Sequence, residues 1–189
     1  MNEFIYNIAV WLDDTAYSPL IHESYYMYNW IESTHVLTLM ISLGMLFLID
    51  LRMLGYAFPD IPASKIADRL NVPMLLGFTV MFITGILLFY AVPVRSAQSV
   101  WFRIKMVLLV ACALNAYLFH KRMSESVASW DNDLKAPSRI RTGAWLSLGF
   151  WSIVVICGRF IAYDWLDCVR GQPAFIAFVA GCIDGQTRF

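Results

Sequence analysis

The chain contains four long apolar runs, and the run between Arg69 and Arg95 includes no charged residue. The other three are Ser33–Ile49, Met106–Phe119 and Thr142–Gly158. A helix needs about 20 residues to cross the hydrocarbon core of a bilayer. The charge-free run reaches this length alone, and the others reach it when flanking charged residues lie at helix ends, where long side chains extend to the interface. Because the runs are continuous and do not alternate in polarity, helices are favoured over barrel strands.

The composition agrees with a membrane protein. Only 15% of the residues are charged, whereas a soluble domain has about 25%. The net charge is zero, so the sequence indicates no nucleic-acid partner. We expect an all-α fold, a four-transmembrane-helix bundle with an N-terminal interfacial amphipathic helix. Residues 1–165 would form one membrane domain and residues 166–189 a periplasmic C-terminal tail. The expected helices lie near residues 31–54, 72–93, 100–121 and 142–163.

The orientation in the membrane follows from the basic residues of the connecting segments. The two segments expected on the inner side carry eight Lys and Arg residues, against six on the outer side. The first thirty residues contain neither Lys nor Arg. The sequence therefore predicts a multi-pass protein of the bacterial inner membrane with both termini in the periplasm.

The segments that flank the four runs have their own patterns. Residues 2–13 place most of their apolar side chains on one side of a helix, which is typical of a helix lying on a membrane surface. A second interpretation of this N-terminal segment is that it forms a lid over a site at the outer face, with His22 as its polar contact.

Two cysteines bracket a short apolar stretch in the tail. Cys168 and Cys182 flank Ala174–Ala180, which is far too short to span a membrane. In an oxidising compartment their spacing predicts a disulfide, worth about 3 kcal/mol against unfolding. The alternative is two unpaired thiols.

A histidine near the outer end of the first predicted helix is the leading functional candidate. Thr38, Ser42 and Met45 continue a small or polar stripe from His35 at helical spacing. A neutral imidazole in apolar surroundings is a natural axial ligand for haem iron. The competing interpretation is a histidine that is hydrogen-bonded to a hydroxyl or carbonyl of a neighbouring helix.

Three cations also approach the outer face, namely Arg103, Lys105 and Arg159. Beside a histidine they suggest an anion, and haem propionates or a quinone headgroup would suit them. Their alternative role is to reach lipid phosphates, as basic side chains near helix ends commonly do. Arg159 is the hardest to explain in that way, because four apolar or aromatic residues follow it.

Two further polar residues belong to the third predicted helix. His120 would lie about 20 Å deeper than His35, so the two histidines cannot clamp one haem. His120 serves either a second, inner site or the membrane interface. Asn115, in mid-membrane, is expected to hydrogen-bond across helices in a structural role.

The chain resembles a family of bacterial four-helix inner-membrane proteins to which no activity is assigned. The resemblance covers about residues 10–165. It rests on WLDDTAYSPLIHES, WIESTHVLTLMISLGMLFLIDLRMLG, TGILLF, FRIKMVLLVACALNAYLFH and GRFIAY. It implies the four-helix fold and leaves the activity open.

A remoter likeness links the chain to the HemJ-type protoporphyrinogen oxidases, which bind haem b, and to the CopD-like copper-resistance membrane domains. In the HemJ type, a histidine on helix 1 and a lysine at the start of helix 3 form the functional pair. The resemblance implies these roles for His35 and Lys105. The chain departs from both groups, because it lacks a second outer histidine in a predicted helix and a Met/His cluster for copper.

The expected function is therefore an integral membrane haem-b-binding protein in electron transfer or tetrapyrrole redox chemistry. His35 would ligate the iron, Arg103 and Arg159 would hold propionates, and Lys105 would be polar support or a proton donor. The second ligand would be His22, Met106 or none. The alternatives are a non-catalytic membrane subunit or scaffold of a larger complex, and copper handling. Expected partners are the lipid bilayer, a redox partner or other membrane subunits, and further copies of the chain. The pattern leaves open whether the protein is an enzyme.

Overall fold

The protein is all-α in a computed structural model, which describes residues 2–15, 17–24, 26–168 and 171–182. Within these ranges its helices are α1 (Asn2–Asp13), α2 (Tyr17–His22), α3 (Met27–Leu54), α4 (Ala63–Ala91), α5 (Pro93–Ala97), α6 (Val100–Ser126), α7 (Ser138–Ala162) and α8 (Ala174–Ala180). A 3-10 turn, Val127–Ser129, extends α6. The one β-bridge in the described part of the chain joins Ser99 to Asp167. The all-α prediction is confirmed.

Four of these helices are long and apolar enough to cross a membrane: α3, α4, α6 with its 3-10 extension, and α7. Their apolar surface is largely uncovered by protein. Only 11% of the most apolar segment of α4, and 6% of that of α6, is buried. Apolar surface costs about 25 cal/mol per Å² when water covers it, so exposure on this scale indicates lipid contact. The prediction of a membrane protein with four transmembrane helices is confirmed at this level.

The second transmembrane helix, α4, begins at Ala63 rather than near residue 72. The carboxylate of Asp131 accepts hydrogen bonds from the backbone N–H of Ser64 at 2.7 Å and from the Ser64 hydroxyl at 2.6 Å. A negative charge at a helix N-terminus is stabilising because it faces unpaired N–H groups. The additional turns are therefore held by a residue remote in sequence, and Pro73 lies inside the helix without ending it.

The chain divides into two compact units. Unit 1 comprises Met1–His35, Phe82–Val107 and Val154–Phe189, and unit 2 comprises Val36–Met81 and Leu108–Ile153. Each of the four long helices contributes a segment to each unit.

Unit 2 is organised around an apolar cluster and a buried arginine. The cluster contains residues of α3 and α7 together with Ala63 and Trp130. The Arg52 side chain is fully buried. Its Nε donates to the Ile61 carbonyl at 2.8 Å and its Nη2 to the Asp133 carbonyl at 3.1 Å. Because these carbonyls belong to the two loops of the unit, Arg52 fixes both loops to the end of α3.

Two further contacts connect helices of unit 2. The amide of Asn115 on α6 donates to the Gly143 carbonyl on α7 at 3.0 Å, which confirms the predicted hydrogen bond across helices. On α4, a Cβ added to Gly77 would lie 2.1 Å from Ser42 Oγ on α3. Only a glycine permits that approach.

Unit 1 contains the short helices α1, α2, α5 and α8. Helix α1 packs against α5 through Ala9, Val94 and Ala97. Cys168 and Cys182 form a disulfide, so that prediction is confirmed. The bridge closes a segment that contains α8.

Candidate functional site

The imidazole of His35 is held on α3 by a contact to α4. His35 is half-buried, and its Nδ1 lies 3.0 Å from the hydroxyl oxygen of Thr84. A threonine in a helix commonly donates its own proton to a carbonyl one turn earlier, which makes its oxygen an acceptor for the ring. When Nδ1–H donates to Thr84, the lone pair of the imidazole is on Nε2. The contact fixes the orientation of the ring, and the Nδ1–H tautomer is the one that leaves Nε2 able to bind a metal.

Gly85 provides the space that the imidazole occupies. A Cβ added at this position would lie 3.1 Å from Cε1 of His35 and 3.6 Å from its Nδ1. The first distance is tighter than ordinary van der Waals contact. The absence of a side chain at position 85 therefore lets the ring of His35 pack directly against α4.

Lys105 is a half-buried cation near the start of α6. Its electrostatic neighbour is Cys157 on α7, whose side chain is fully buried. Among the described residues the one salt bridge joins Arg95 to Asp164, so Lys105 has no carboxylate partner there. The positive charge of Lys105 therefore has a thiol but no anion beside it, and such a charge inside an apolar segment costs free energy.

Two aromatic contacts set the register of the helices around these residues. Phe89 on α4 stacks on Phe102 on α6, with ring centroids 5.2 Å apart. Trp101 on α6 contacts Phe160 on α7 at 4.6 Å between centroids. The three helices are therefore level at these rings.

One helical turn deeper, the same register brings the candidate residues into one layer. Four residues before Phe89 is Gly85, which contacts His35. Four residues after Trp101 is Lys105, and three residues before Phe160 is Cys157. Each step is about 4.5–6 Å along a helix axis. We call His35, Thr84, Lys105 and Cys157 the histidine layer; all four belong to unit 1.

Arg103 makes contacts outside this layer. Its Nη1 donates to the Val179 carbonyl at 2.8 Å and to Asn2 Oδ1 at 3.0 Å, and its Nε donates to the Ala97 carbonyl at 3.2 Å. The amide of Asn2 in turn donates to the Phe178 carbonyl at 3.1 Å. In this structure Arg103 ties the tail helix α8 to the start of α1.

Arg159 is exposed and contacts its own helix end. Its Nη2 donates to the Tyr163 hydroxyl at 2.5 Å, and its guanidinium lies 4.5 Å from the centroid of the Tyr163 ring. His120 is also exposed and belongs to unit 2, whereas His35 belongs to unit 1. Met106 on α6, which the sequence analysis gave as one possible second iron ligand, is exposed as well.

His22 ends α2 and lines a cavity of about 250 Å³ together with Ser24, Tyr28, Asn29, Val92 and Arg95. We call this the outer cavity, after the side of the membrane on which the loop charges predict this end of the helices to lie. The rings of His22 and Tyr28 meet edge to face, with centroids 6.4 Å apart. The structure thus places His22 at the outer cavity, and the lid interpretation stays a prediction.

The sequence had not singled out Thr84, Gly85 or Cys157 as site residues. The only available signal was the TGILLF string, which places a hydroxyl residue and a glycine next to each other in the charge-free run. Within the described residues, no group of three or more His, Cys, Asp or Glu side chains is arranged to hold a metal ion.

Comparison with known proteins gives one match. The model of a family of unknown function, DUF6644, matches residues 10–164. No curated protein and no solved structure matches the chain. The likenesses to the HemJ-type oxidases and to the CopD-like domains thus receive no support from these comparisons.

Proposed function

The chain belongs to the family DUF6644, and from the histidine layer we propose that it is an integral membrane protein that binds haem b for electron transfer or tetrapyrrole redox chemistry. His35 is the proposed axial ligand, and Lys105 is the proposed partner of an acidic group of the tetrapyrrole. Bound haem would supply one-electron redox chemistry at the iron. The observation that carries the proposal is the 3.0 Å contact between Nδ1 of His35 and the Thr84 hydroxyl, and the register of the helices, from which we infer a similar depth for Lys105, supports it.

The imidazole has the features that an iron ligand requires. Histidines that bind metals usually donate their second ring N–H to a fixed acceptor, which sets the tautomer and raises the basicity of the ligating nitrogen. The Thr84 hydroxyl is in position to be that acceptor, at 3.0 Å from Nδ1. Gly85 admits the ring between the two helices. The donor set is one imidazole nitrogen, which is the normal proximal ligand of haem.

The ammonium of Lys105 complements this ligand electrostatically. A lysine at the centre of a transmembrane helix costs about 2.5–3.5 kcal/mol on insertion scales, and Lys105 costs less because it lies near the start of α6. A propionate beside it would form a charge-assisted hydrogen bond, which is about twice as strong as a neutral one. An acidic ligand in the histidine layer would therefore offset much of that cost.

The roles that the sequence predicts for Arg103, Arg159 and His22 stay part of the proposal. Arg103 and Arg159, proposed for propionates, make the contacts described above. His22, one candidate for the second iron ligand, lines the outer cavity. Arg103 would have to exchange contacts to reach a ligand, so Lys105 is the stronger candidate for the first anionic contact.

A non-catalytic subunit or scaffold is the second candidate function. It is favoured by the tail helix α8, on which Phe175 and Phe178 are 78% and 74% exposed. Large aromatic side chains exposed on this scale are enriched at interfaces with partner proteins. Isolation of the protein without any visible chromophore, but in a stable complex with a larger membrane protein, would favour this function.

We also propose the bacterial inner membrane as the location, with both termini in the periplasm. The loop charges support this orientation, and the Cys168–Cys182 disulfide supports an oxidising compartment for the tail. Reporter fusions at Pro62, Ala97 and Trp130 test it. We expect cytoplasmic activity at positions 62 and 130 and periplasmic activity at 97, and the reverse pattern would exclude the proposed topology.

The haem proposal is tested by one visible absorption spectrum and one matched pair of variants. Purified full-length protein, loaded with haemin and freed of excess, should show a Soret band. The His35→Ala variant should lose or shift this band, whereas His120→Ala, which removes an exposed histidine from unit 2, should retain it. A wild-type protein without a Soret band, or an unchanged band in His35→Ala, would refute the proposal.

A further inference from the structure

We propose that the outer cavity binds the headgroup of a membrane quinone, a neutral single ring with two carbonyl acceptors. This site is distinct from the histidine layer, and its occupation does not depend on haem. The bound quinone could also exchange electrons with a haem in the histidine layer. That role, unlike the binding itself, would rest on the proposed function.

The outer cavity lies at the start of α3 and beyond the end of α4, the same ends of these helices near which His35 and Gly85 lie. Tyr28 precedes His35 by seven residues on α3, and Val92 directly follows the last residue of α4. Seven residues are close to two helical turns, or about 10 Å. Tyr28 therefore lies on the same side of α3 as His35, about two turns nearer the start of the helix.

Most of the surface of the outer cavity is apolar, but five of its six lining residues carry a group that can donate a hydrogen bond. Tyr28 and Ser24 offer hydroxyls, Asn29 an amide, and His22 and Arg95 ring or guanidinium N–H groups. Val92 and the two aromatic rings contribute to the apolar surface. This combination suits a flat ring that carries acceptor oxygens at its edge.

The charges near the outer cavity disfavour an anion. Arg95 is already paired with Asp164, whose Oδ1 accepts from Nε at 2.8 Å and also from Nη2. Glu32 and Asp164 both act electrostatically on Tyr28. Two carboxylates against one guanidinium would repel a phosphate or carboxylate ligand, so a neutral acceptor is favoured.

The size of the outer cavity further limits the ligand. Pockets for drug-sized molecules have volumes of about 300–1,000 Å³, whereas this one is about 250 Å³. A cavity of this volume accepts one ring. A quinone's hydrocarbon chain would remain outside it, beside α4, whose apolar surface is mostly uncovered.

The test is a calorimetric titration of purified full-length protein, free of haem, with a decyl-substituted benzoquinone. We expect saturable binding with one site per chain. Tyr28→Phe keeps the ring and removes one hydroxyl donor, so it should weaken binding about three- to tenfold. His22→Phe keeps an aromatic wall and should weaken binding similarly. The matched control, Tyr26→Phe, changes an exposed tyrosine that does not line the cavity, and should leave the affinity unchanged.

Several results would overturn the proposal: no saturable binding, equal affinity for decanol, displacement of the quinone by inorganic phosphate, or the same loss in Tyr26→Phe as in Tyr28→Phe. Because the titration uses protein without haem, a missing Soret band leaves its result intact. Conversely, a failed titration leaves the haem assignment of His35 standing.

Discussion

Nδ1 of His35 lies 3.0 Å from Oγ1 of Thr84, so the principal candidate residue of α3 is oriented by a hydroxyl of α4. Substitution Thr84→Val retains the shape of the side chain and removes that acceptor. Loss of a contact that orients a metal ligand typically lowers metal affinity 10–100-fold. We expect a loss in this range for haemin, measured by titration of the Soret band.

Thr79→Val is the matched control for this substitution. The Thr79 hydroxyl donates to the Leu75 carbonyl of its own helix and is exposed, so its removal should leave haemin affinity unchanged. Equal affinities of the Thr84→Val and wild-type proteins would show that the contact does not orient a ligand.

Gly85→Ala tests the packing of the imidazole against α4. A new Cβ would lie 3.1 Å from Cε1 of His35. Overpacking of this kind costs about 1–3 kcal/mol, while Ala in place of Gly in a helix contributes about 1 kcal/mol. We expect a net loss of up to about 2 kcal/mol in the free energy of unfolding, measured by denaturant titration in detergent.

Gly149→Ala is the control, because a Cβ there meets nothing within 4 Å. It should stabilise the protein by about 0.5–1 kcal/mol. In the double variant His35→Ala/Gly85→Ala the clash is absent, so the cost of Gly85→Ala should disappear. A cost that persists in this background would contradict the proposed contact.

The transmembrane helices were predictable because hydropathy depends on composition alone, and His35 stood out because it interrupts an apolar run. The Asn115 contact was predictable for the same reason, since a mid-membrane amide must find a partner. The early start of α4 was not predictable, because it depends on Asp131, which lies 67 positions from Ser64. Nor was the pairing of Thr84 with His35, which depends on the register between two helices.

The pairing of the four cysteines can be tested by thiol labelling. Cys112 and Cys157 are buried and unpaired, whereas Cys168 and Cys182 are bonded to each other. Alkylation in denaturant without reductant should therefore label Cys112 and Cys157 only, as measured by mass spectrometry of the peptides. Labelling of Cys168 and Cys182 under these conditions would refute the disulfide.

The same disulfide should contribute to stability. In the chain-entropy model, closing a loop across a sequence separation of 14 contributes about 3 kcal/mol. We expect a double variant, Cys168→Ser/Cys182→Ser, to lower the free energy of unfolding by about that amount. The control compares Cys112→Ser/Cys182→Ser with Cys182→Ser alone. Both proteins lack the bridge, so the difference between their free energies of unfolding measures the effect of replacing a thiol outside it. If removal of the bridge left stability unchanged, the tail would be held by Arg103 and its contacts instead.

Arg52 provides the last test, which concerns the loops of unit 2. Its guanidinium is fully buried and donates to the carbonyls of Ile61 and Asp133, among others. Arg52→Lys keeps the charge but cannot span both loops, because an ammonium lacks the planar fork of a guanidinium. Hydrogen bonds from charged donors contribute about 1.5–3 kcal/mol each, so we expect a loss of at least about 2 kcal/mol in the free energy of unfolding. Arg69→Lys, at an exposed position of α4, should change it by less than about 0.5 kcal/mol. Equal effects of the two substitutions would mean that the positive charge alone, and not the geometry of the Arg52 contacts, stabilises the loops.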